Sequence, residues 1–315
     1  MRDSLTRRIG RRVRAVLAPS PAPVADDHPR VLDLTAGQVV EEHVGADFAA
    51  ALAGGRAAVV AHWSRAAATT LSARGLVAEL TAAGYAVVVS SSSPAAGPLG
   101  WGDVDLSRVA VLRKPNIGYD FGSWTVALDR YPELSASDTI VLTNDSLVGP
   151  FATLAPYLDM LAASSTDVWG LTETAQFTRH VQSYFLGFRR GVLQRPALAA
   201  FWRDVRHYDD KQLVIHRGEL AFASLLHAEG IPLGAAFPAG SVVDLADNPT
   251  IIGWRRLLEA GYPFVKREVV RSPHLAPEGD RVAEVVRDLY GVDVADWIEP
   301  DEANDEAQDS AGEHG

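Results

Sequence analysis

The sequence predicts an α/β protein with a mostly parallel central sheet and a helical carboxyl-terminal part. Three observations carry this reading. Short β-branched runs alternate with longer amphipathic segments, Gly and Pro punctuate the joins, and polar residues collect where two of the strands end. Strand–helix–strand spacing of this kind implies parallel neighbours joined by right-handed crossovers.

Taken in order, residues 57–62 form a buried-type strand, and 69–83 a helix with Leu71, Leu76, Val77 and Leu80 turned to the core. Gly84 stops that helix, and 85–89 is the next strand, ending in the run Ser90 to Ser93. A third strand spans 109–113, ended by Pro115. Gly118 then allows a turn with positive φ, and Gly122-Ser123 opens a helix carrying Trp124, Val126, Ala127 and Leu128. The fourth strand covers 139–143 and runs into Asn144, Asp145 and Ser146. A helix near 153–163 and strands at 168–172 and 184–188 follow, then helices at 196–207, 213–228, 252–260 and 280–290. There is no internal repeat.

Asn144, Asp145 and Ser146 supply an amide, a carboxylate and a hydroxyl in sequence, a set that suits a hard divalent cation or a pyrophosphate. The plainer alternative is an Asx turn and a helix cap. One strand–helix unit earlier, Asn116-x-Gly118-x-Asp120 brings a second polar group to the same end of the sheet, where open α/β sheets bind ligands. His62 and Ser64 end the first strand on that side and are candidates for contact with a base or ribose. The serine run is either a nucleobase pocket or a turn. His180, Gln182 and Ser183 are expected on the opposite rim. Lys266-Arg267, or Arg113-Lys114, could neutralise a diphosphate; an ordinary surface pair is the alternative. No histidine pair has metal-ligand spacing.

Composition narrows the class. Net charge is −11, which argues against nucleic-acid binding. There are no cysteines, so neither disulfides nor thiolate zinc sites arise, which fits a reducing compartment. No apolar run is long enough to span a bilayer and no secretory signal is evident, which points to the cytoplasm. The chain divides into a basic segment with a Pro-rich linker (1–29), a central α/β domain (30–295) and an acidic tail (296–315). Arginines at 2, 7, 8, 11, 12 and 14 make residues 1–17 either a basic amphipathic helix for peripheral contact with the inner membrane face or a frayed terminus.

Several segments together resemble a known family. AHWS (61–64), NIGYDFGSW (116–124), LTNDSLVGPF (142–151), QSYFLGFRRGVL (182–193), the pair Phe201-Trp202, HRGEL (216–220) and NPTIIGWRRLLEAGYPFVKRE (248–268) occur in the order found in the rhamnan synthesis F family. The resemblance covers roughly residues 55 to 290 and implies a sugar transferase of cell-surface polysaccharide assembly. The layout is also similar to GT-A glycosyltransferases, which implies a GT-A-like sandwich. It further implies a nucleotide-diphosphate sugar as donor, dTDP-rhamnose or another deoxyhexose, and a polysaccharide or lipid-linked acceptor. Under that resemblance Asp145 holds a divalent cation (Mg²⁺ or Mn²⁺), His62, Asn116, Gly118, Asp120, Asn144, Ser146 and Lys266 bind donor, and Glu219 is the base of an inverting transfer. Asn144 departs from the usual Asp-x-Asp pattern and leaves one charge fewer for the cation. A helix acid paired with Arg217 is the alternative role for Glu219. A binding or scaffold protein of the same assembly is the alternative for the whole chain.

Overall fold

A computed structural model describes residues 26–298. The basic segment 1–17, most of the linker and the acidic tail from 299 lie outside the described residues. The strands are β1 (Val40–Val44), β2 (Arg56–His62), β3 (Ala86–Ser91), β4 (Val109–Arg113), β5 (Thr139–Asn144), β6 (Leu147–Val148), β7 (Val168–Thr174), β8 (His180–Val181), β9 (Phe185–Arg189), β10 (Leu233–Phe237) and β11 (Val265–Lys266). The helices are α1 (Val31–Thr35), α2 (Phe48–Ala53), α3 (Leu71–Ala82), α4 (Tyr119–Arg130), α5 (Ala155–Ala163), α6 (Pro196–Arg203), α7 (Lys211–Val214), α8 (Ala221–Ala228), α9 (Trp254–Glu259), α10 (Arg267–Arg271) and α11 (Val282–Tyr290).

The main sheet has the order β1-β4-β3-β2-β5-β9-β7-β10, with β8 hung on β7. The block β4-β3-β2-β5 is parallel throughout, and β7 pairs in parallel with β10. The reversed strand β9 joins the halves by antiparallel pairing to both β5 and β7, and edge strand β1 is likewise antiparallel to β4. The chain steps outward from β2 to β3 and β4, then returns to place β5 on the other side of β2. The gap between the carboxyl ends of β2 and β5 is therefore the point where strand order reverses, the usual ligand crevice of such sheets.

Alternation along each strand builds a core on both faces. Ala57, Val59 and Ala61 of β2 pack with Phe121 and Trp124 of α4, whereas Ala58 and Val60 pack with Leu76, Val77 and Leu80 of α3. A strand buried on both faces reads as a continuous apolar run, which is why β2, β3 and β5 stand out in the sequence. A third cluster unites Trp254, Val265, Val285 and Val286 with Val148. It anchors the small β6–β11 ladder, and Trp297 reaches it by packing edge-on to Phe151 with centroids 5.5 Å apart.

Several expected boundaries shift for physical reasons. Helix α4 opens at Tyr119 rather than Gly122, because Gly118 with φ 82° already caps it. The helix expected at 213–228 is continuous, but Ile215–Leu220 is wound as a π-helix between α7 and α8. Ser90 and Ser91 lie within β3 and are fully buried, so the serine run is not a free turn. Strand β10 breaks the expected all-helical carboxyl-terminal part; all five of its residues are only half-buried, which weakens its apolar signal.

Candidate active site

Asp145 sits just beyond β5 at the strand-order reversal. Its Oδ2 accepts the backbone N–H of Trp63, just beyond β2, at 2.9 Å. Its backbone carbonyl accepts Arg267 Nη2 at 2.9 Å, while the Arg267 N–H donates to the Ser146 carbonyl at 3.1 Å. Asn144 is shared between two neighbours. Its Nδ2 donates to Asp120 Oδ2 at 2.6 Å, and its Oδ1 accepts from Ser146 Oγ at 2.6 Å and Ser146 N at 3.2 Å. The two acidic motifs legible in the sequence thus meet in one hydrogen-bonded group.

Asp120 is the most perturbed member of that group. Burial, reinforced by the negative charge of Asp145, pushes its carboxyl up to about 7, against the opposing pull of Asn144 and Lys114. Lys114 is itself buried, and burial lowers its ammonium to about 8. It spends its protons on the carbonyls of Pro115 (3.0 Å) and Ile117 (2.9 Å), so it braces the turn before Asp120 and does not reach out for a phosphate. Arg113 is likewise committed, to Glu42 at 2.7 Å and the carbonyls of Ser93, Ala95 and Gly97.

The turn tolerates little substitution. A Cβ on Gly118 would lie 2.5 Å from Val31 Cγ2, and one on Gly122 would lie 2.6 Å from the Ile117 carbonyl oxygen. Asn116 is exposed on the approach to this turn. His62 is buried, with Nδ1 3.0 Å from Ser91 Oγ, and its Nε2 has no hydrogen-bond partner. Burial lowers its pKa, so it is held neutral, although Asp145 pulls the other way.

Lys266 Nζ pairs with Glu268 at 3.3 Å. Arg267, its neighbour, makes the contacts to Asp145 and Ser146. The β6–β11 ladder, which the sequence did not reveal, turns that second cation to the site.

Glu219 lies on the π-helix across from Asp120, close enough for its charge to raise the Asp120 carboxyl further. Its Oε1 accepts the Ser183 N–H at 2.8 Å and lies 3.6 Å from His180 Nε2. Burial alone would raise its pKa, but His180 and Ser183 outweigh burial and bring it below the ordinary carboxyl value. Arg217 makes no pair with it. Glu173, the other acid of this region, is bound at both oxygens by Arg179, at 2.5 and 3.1 Å, and also accepts the Ala239 N–H at 3.0 Å. That bidentate clamp makes it a structural acid. Next to Gly118 and Gly218 opens a cavity of about 390 Å³, walled by Phe121, Phe201, Tyr208 and Arg217.

Among the described residues no group of three or more His, Asp and Glu is placed to hold a metal ion. Asp145 and Asp120 nevertheless fit a cation whose shell is completed by substrate, since a magnesium site of one or two carboxylates plus phosphate oxygens needs no protein cage. Burial first, and then the charge of Asp145, raise the Asp120 carboxyl, a cost that a cation between the two acids would relieve.

With this geometry in view, comparison with known proteins is informative. The model of the rhamnan synthesis protein F family matches residues 104–295. The chain belongs to the rhamnan synthesis protein F family. That span includes both acidic motifs, His180, Glu219 and Arg267. The virulence protein VirA of Vibrio anguillarum is 28% identical over 193 residues, covering 51% of this chain and 62% of that protein. The uncharacterized protein y4gN of Sinorhizobium fredii is 24% identical over 154 residues, or 47% of this chain and 40% of that one. The chain thus matches less than two thirds of the length of these relatives. Among the described residues no helix is long and apolar enough to cross a membrane.

Proposed function

We propose that the chain is a GT-A-like, inverting glycosyltransferase that moves a deoxyhexose, L-rhamnose first among them, from a dTDP-type donor to a surface polysaccharide or lipid-linked acceptor. The observation that carries this reading is the meeting of Asp120, Asn144 and Asp145 at the strand-order reversal, with Glu219 facing them from a separate element. The family's part in rhamnan synthesis supports the substrate class.

In this reading the donor diphosphate lies over the ends of β2 and β5. Asp145 and Asp120 would hold a divalent cation, which when bound neutralises phosphate charge and eases departure of the nucleoside diphosphate. Arg267 adds a fixed positive charge beside Asp145, and Asn116 reaches the donor from the exposed turn. His62 Nε2, buried and without a protein partner, is offered to the nucleoside. The acceptor hydroxyl enters from the side of the 390 Å³ cavity and attacks the anomeric carbon. Its oxygen forms the new glycosidic bond, the bond from that carbon to the diphosphate breaks, and Glu219 takes the proton.

A thermal-shift series tests the donor site. Nucleoside diphosphates and their sugars, each with and without Mg²⁺ or Mn²⁺, should raise the melting temperature, because a ligand at one hundred times its Kd adds about 2.7 kcal/mol to the native state. One nucleotide should stand out, and Asp145→Asn should abolish its effect. A series in which no nucleotide moves the transition would overturn the reading.

A further inference from the structure

Deepening that reading, and resting on it for the role of Glu219, we propose that His180 is the positioning residue of Glu219, a side chain that fixes the carboxylate's direction toward the acceptor. The case begins with acceptors. His180 Nδ1 lies 2.7 Å from the Thr178 carbonyl, which has no proton to give, so Nδ1 must carry one. Its Nε2 lies 3.6 Å from the Glu219 carboxylate, a second acceptor. A neutral ring would satisfy Thr178 and point a lone pair at Glu219; only the doubly protonated ring satisfies both. His180 is buried and held in β8, whose pairing with Glu173 and Thr174 of β7 fixes where the ring can point.

The surroundings agree. Burial works against the charge on His180, yet Glu219 and the Thr178 carbonyl, with Glu173 behind them, raise its pKa above the ordinary value. Glu219 moves in the opposite direction, as a true ion pair requires. The charged and titratable groups facing the pair are Glu173 from β7, Asp120 from α4 and Tyr184 beside β9. Glu173 is already neutralised by Arg179, so the pair is a local charge balance of its own. Ser183 N–H and His180 Nε2 approach the same oxygen, Oε1, and in this reading Oε2 is the atom that would accept a proton. The geometric consequence is a carboxylate with one oxygen held by two partners.

The pH behaviour follows from the signs. The pair's contribution is present above the lowered Glu219 value and below the raised His180 value, and is lost as pH rises through the latter. Above it the ring's lone pair confronts the carboxylate, and the productive rotamer is no longer favoured.

Two measurements test this on the full chain. Imidazole ¹H–¹⁵N spectra, with His180 assigned from His180→Asn, should give a midpoint above the ordinary 6.5, and Glu219→Gln should lower it. A midpoint at or below that value, or one indifferent to Glu219→Gln, overturns the proposal. The second measurement is turnover against pH. His180→Gln replaces the ring nitrogen with an amide donor that cannot titrate; it should keep most of the rate and lose the alkaline limb. His180→Ala should lower kcat about tenfold or more with donor KM unchanged, as misplacement of a reacting group does. Equal kcat and an unchanged alkaline limb in both variants overturn it, as does a loss confined to melting temperature. Absence of transfer in every protein, wild type included, would count against the transferase reading alone, since the spectra still decide the ion pair.

Discussion

The Trp63 N–H donates to Asp145 Oδ2 across the point where strand order reverses, tying the outgoing chain of β2 to that of β5. One carboxylate oxygen is thereby fixed by the backbone of the neighbouring strand. The side chain has its direction set before any ligand arrives, which is how a site on a rigid scaffold reduces the cost of ordering. The same bond links the AHWS and LTNDS segments, which lie far apart in sequence.

Asp145→Asn tests the donor assignment. The amide oxygen still accepts from Trp63, so the fold should keep its melting temperature within a few degrees. Sugar transfer should fall by about 10² or more, the scale for losing a preorganised electrostatic contact. Near-full activity in this variant and in Asp120→Asn together would remove the donor site.

Asp120 predicts a pH dependence of stability. Its folded pKa, about 7, lies above the ordinary 3.8, so the native state holds a proton that the unfolded chain releases. That stabilisation is complete below the ordinary value and is lost as pH rises through about 7. Melting temperature should therefore fall as pH rises from about 4 to about 7, and Asp120→Asn should flatten the fall. Parallel curves for the two proteins would contradict the assignment.

Donor binding with a cation should discharge the same proton. Calorimetry near pH 7 in buffers of different ionisation enthalpy should show proton release on binding, absent in Asp120→Asn. Identical apparent enthalpies in all buffers would show that no cation or charge change reaches Asp120.

Glu219→Gln distinguishes base from strut. The amide keeps the shape but cannot take the acceptor's proton, so turnover should drop by about 10²–10⁴ with donor affinity unmoved. A structural role would instead lower melting temperature and affinity together, leaving turnover of the folded fraction nearly normal.

Gly118→Ala and Gly122→Ala should each cost about 1–3 kcal/mol, measured by chemical denaturation, because the new methyl overlaps Val31 or the Ile117 carbonyl. Gly118 adds a positive φ of 82° that a side chain resists. Wild-type stability in either variant would mean α4 can shift without loss.

The strands β2 to β5 and the two acidic motifs were legible because they depend on local signals: a run buried on both faces, and polar residues at its end. What the sequence concealed depends on distant pairing. Edge strand β1 has two exposed valines and three polar partners, so its pattern is nearly that of a loop. Arg267 is chosen over Lys266 by the register of a two-residue ladder, Lys266 opposite Leu147, which no spacing rule encodes. His180 read as a rim residue because Thr178 and Glu219 meet it only after β8 folds back on β7. The π-helical winding around Glu219 has no signal in hydrophobic period, since HRGEL is largely polar.

The close approach of α4 to its own turn separates two kinds of information in Asn-Ile-Gly-Tyr-Asp-Phe-Gly. Its glycines are demanded by Val31 and the Ile117 carbonyl, contacts that exist with or without chemistry at the site. Asn116 and Asp120 carry no such obligation. A related chain that retains the glycines while exchanging Asp120 should therefore fold with α4 docked and transfer nothing. If the proposed transfer is right, a substitution at Asp120 rather than at the glycines is what would mark a chain that keeps this fold without the chemistry.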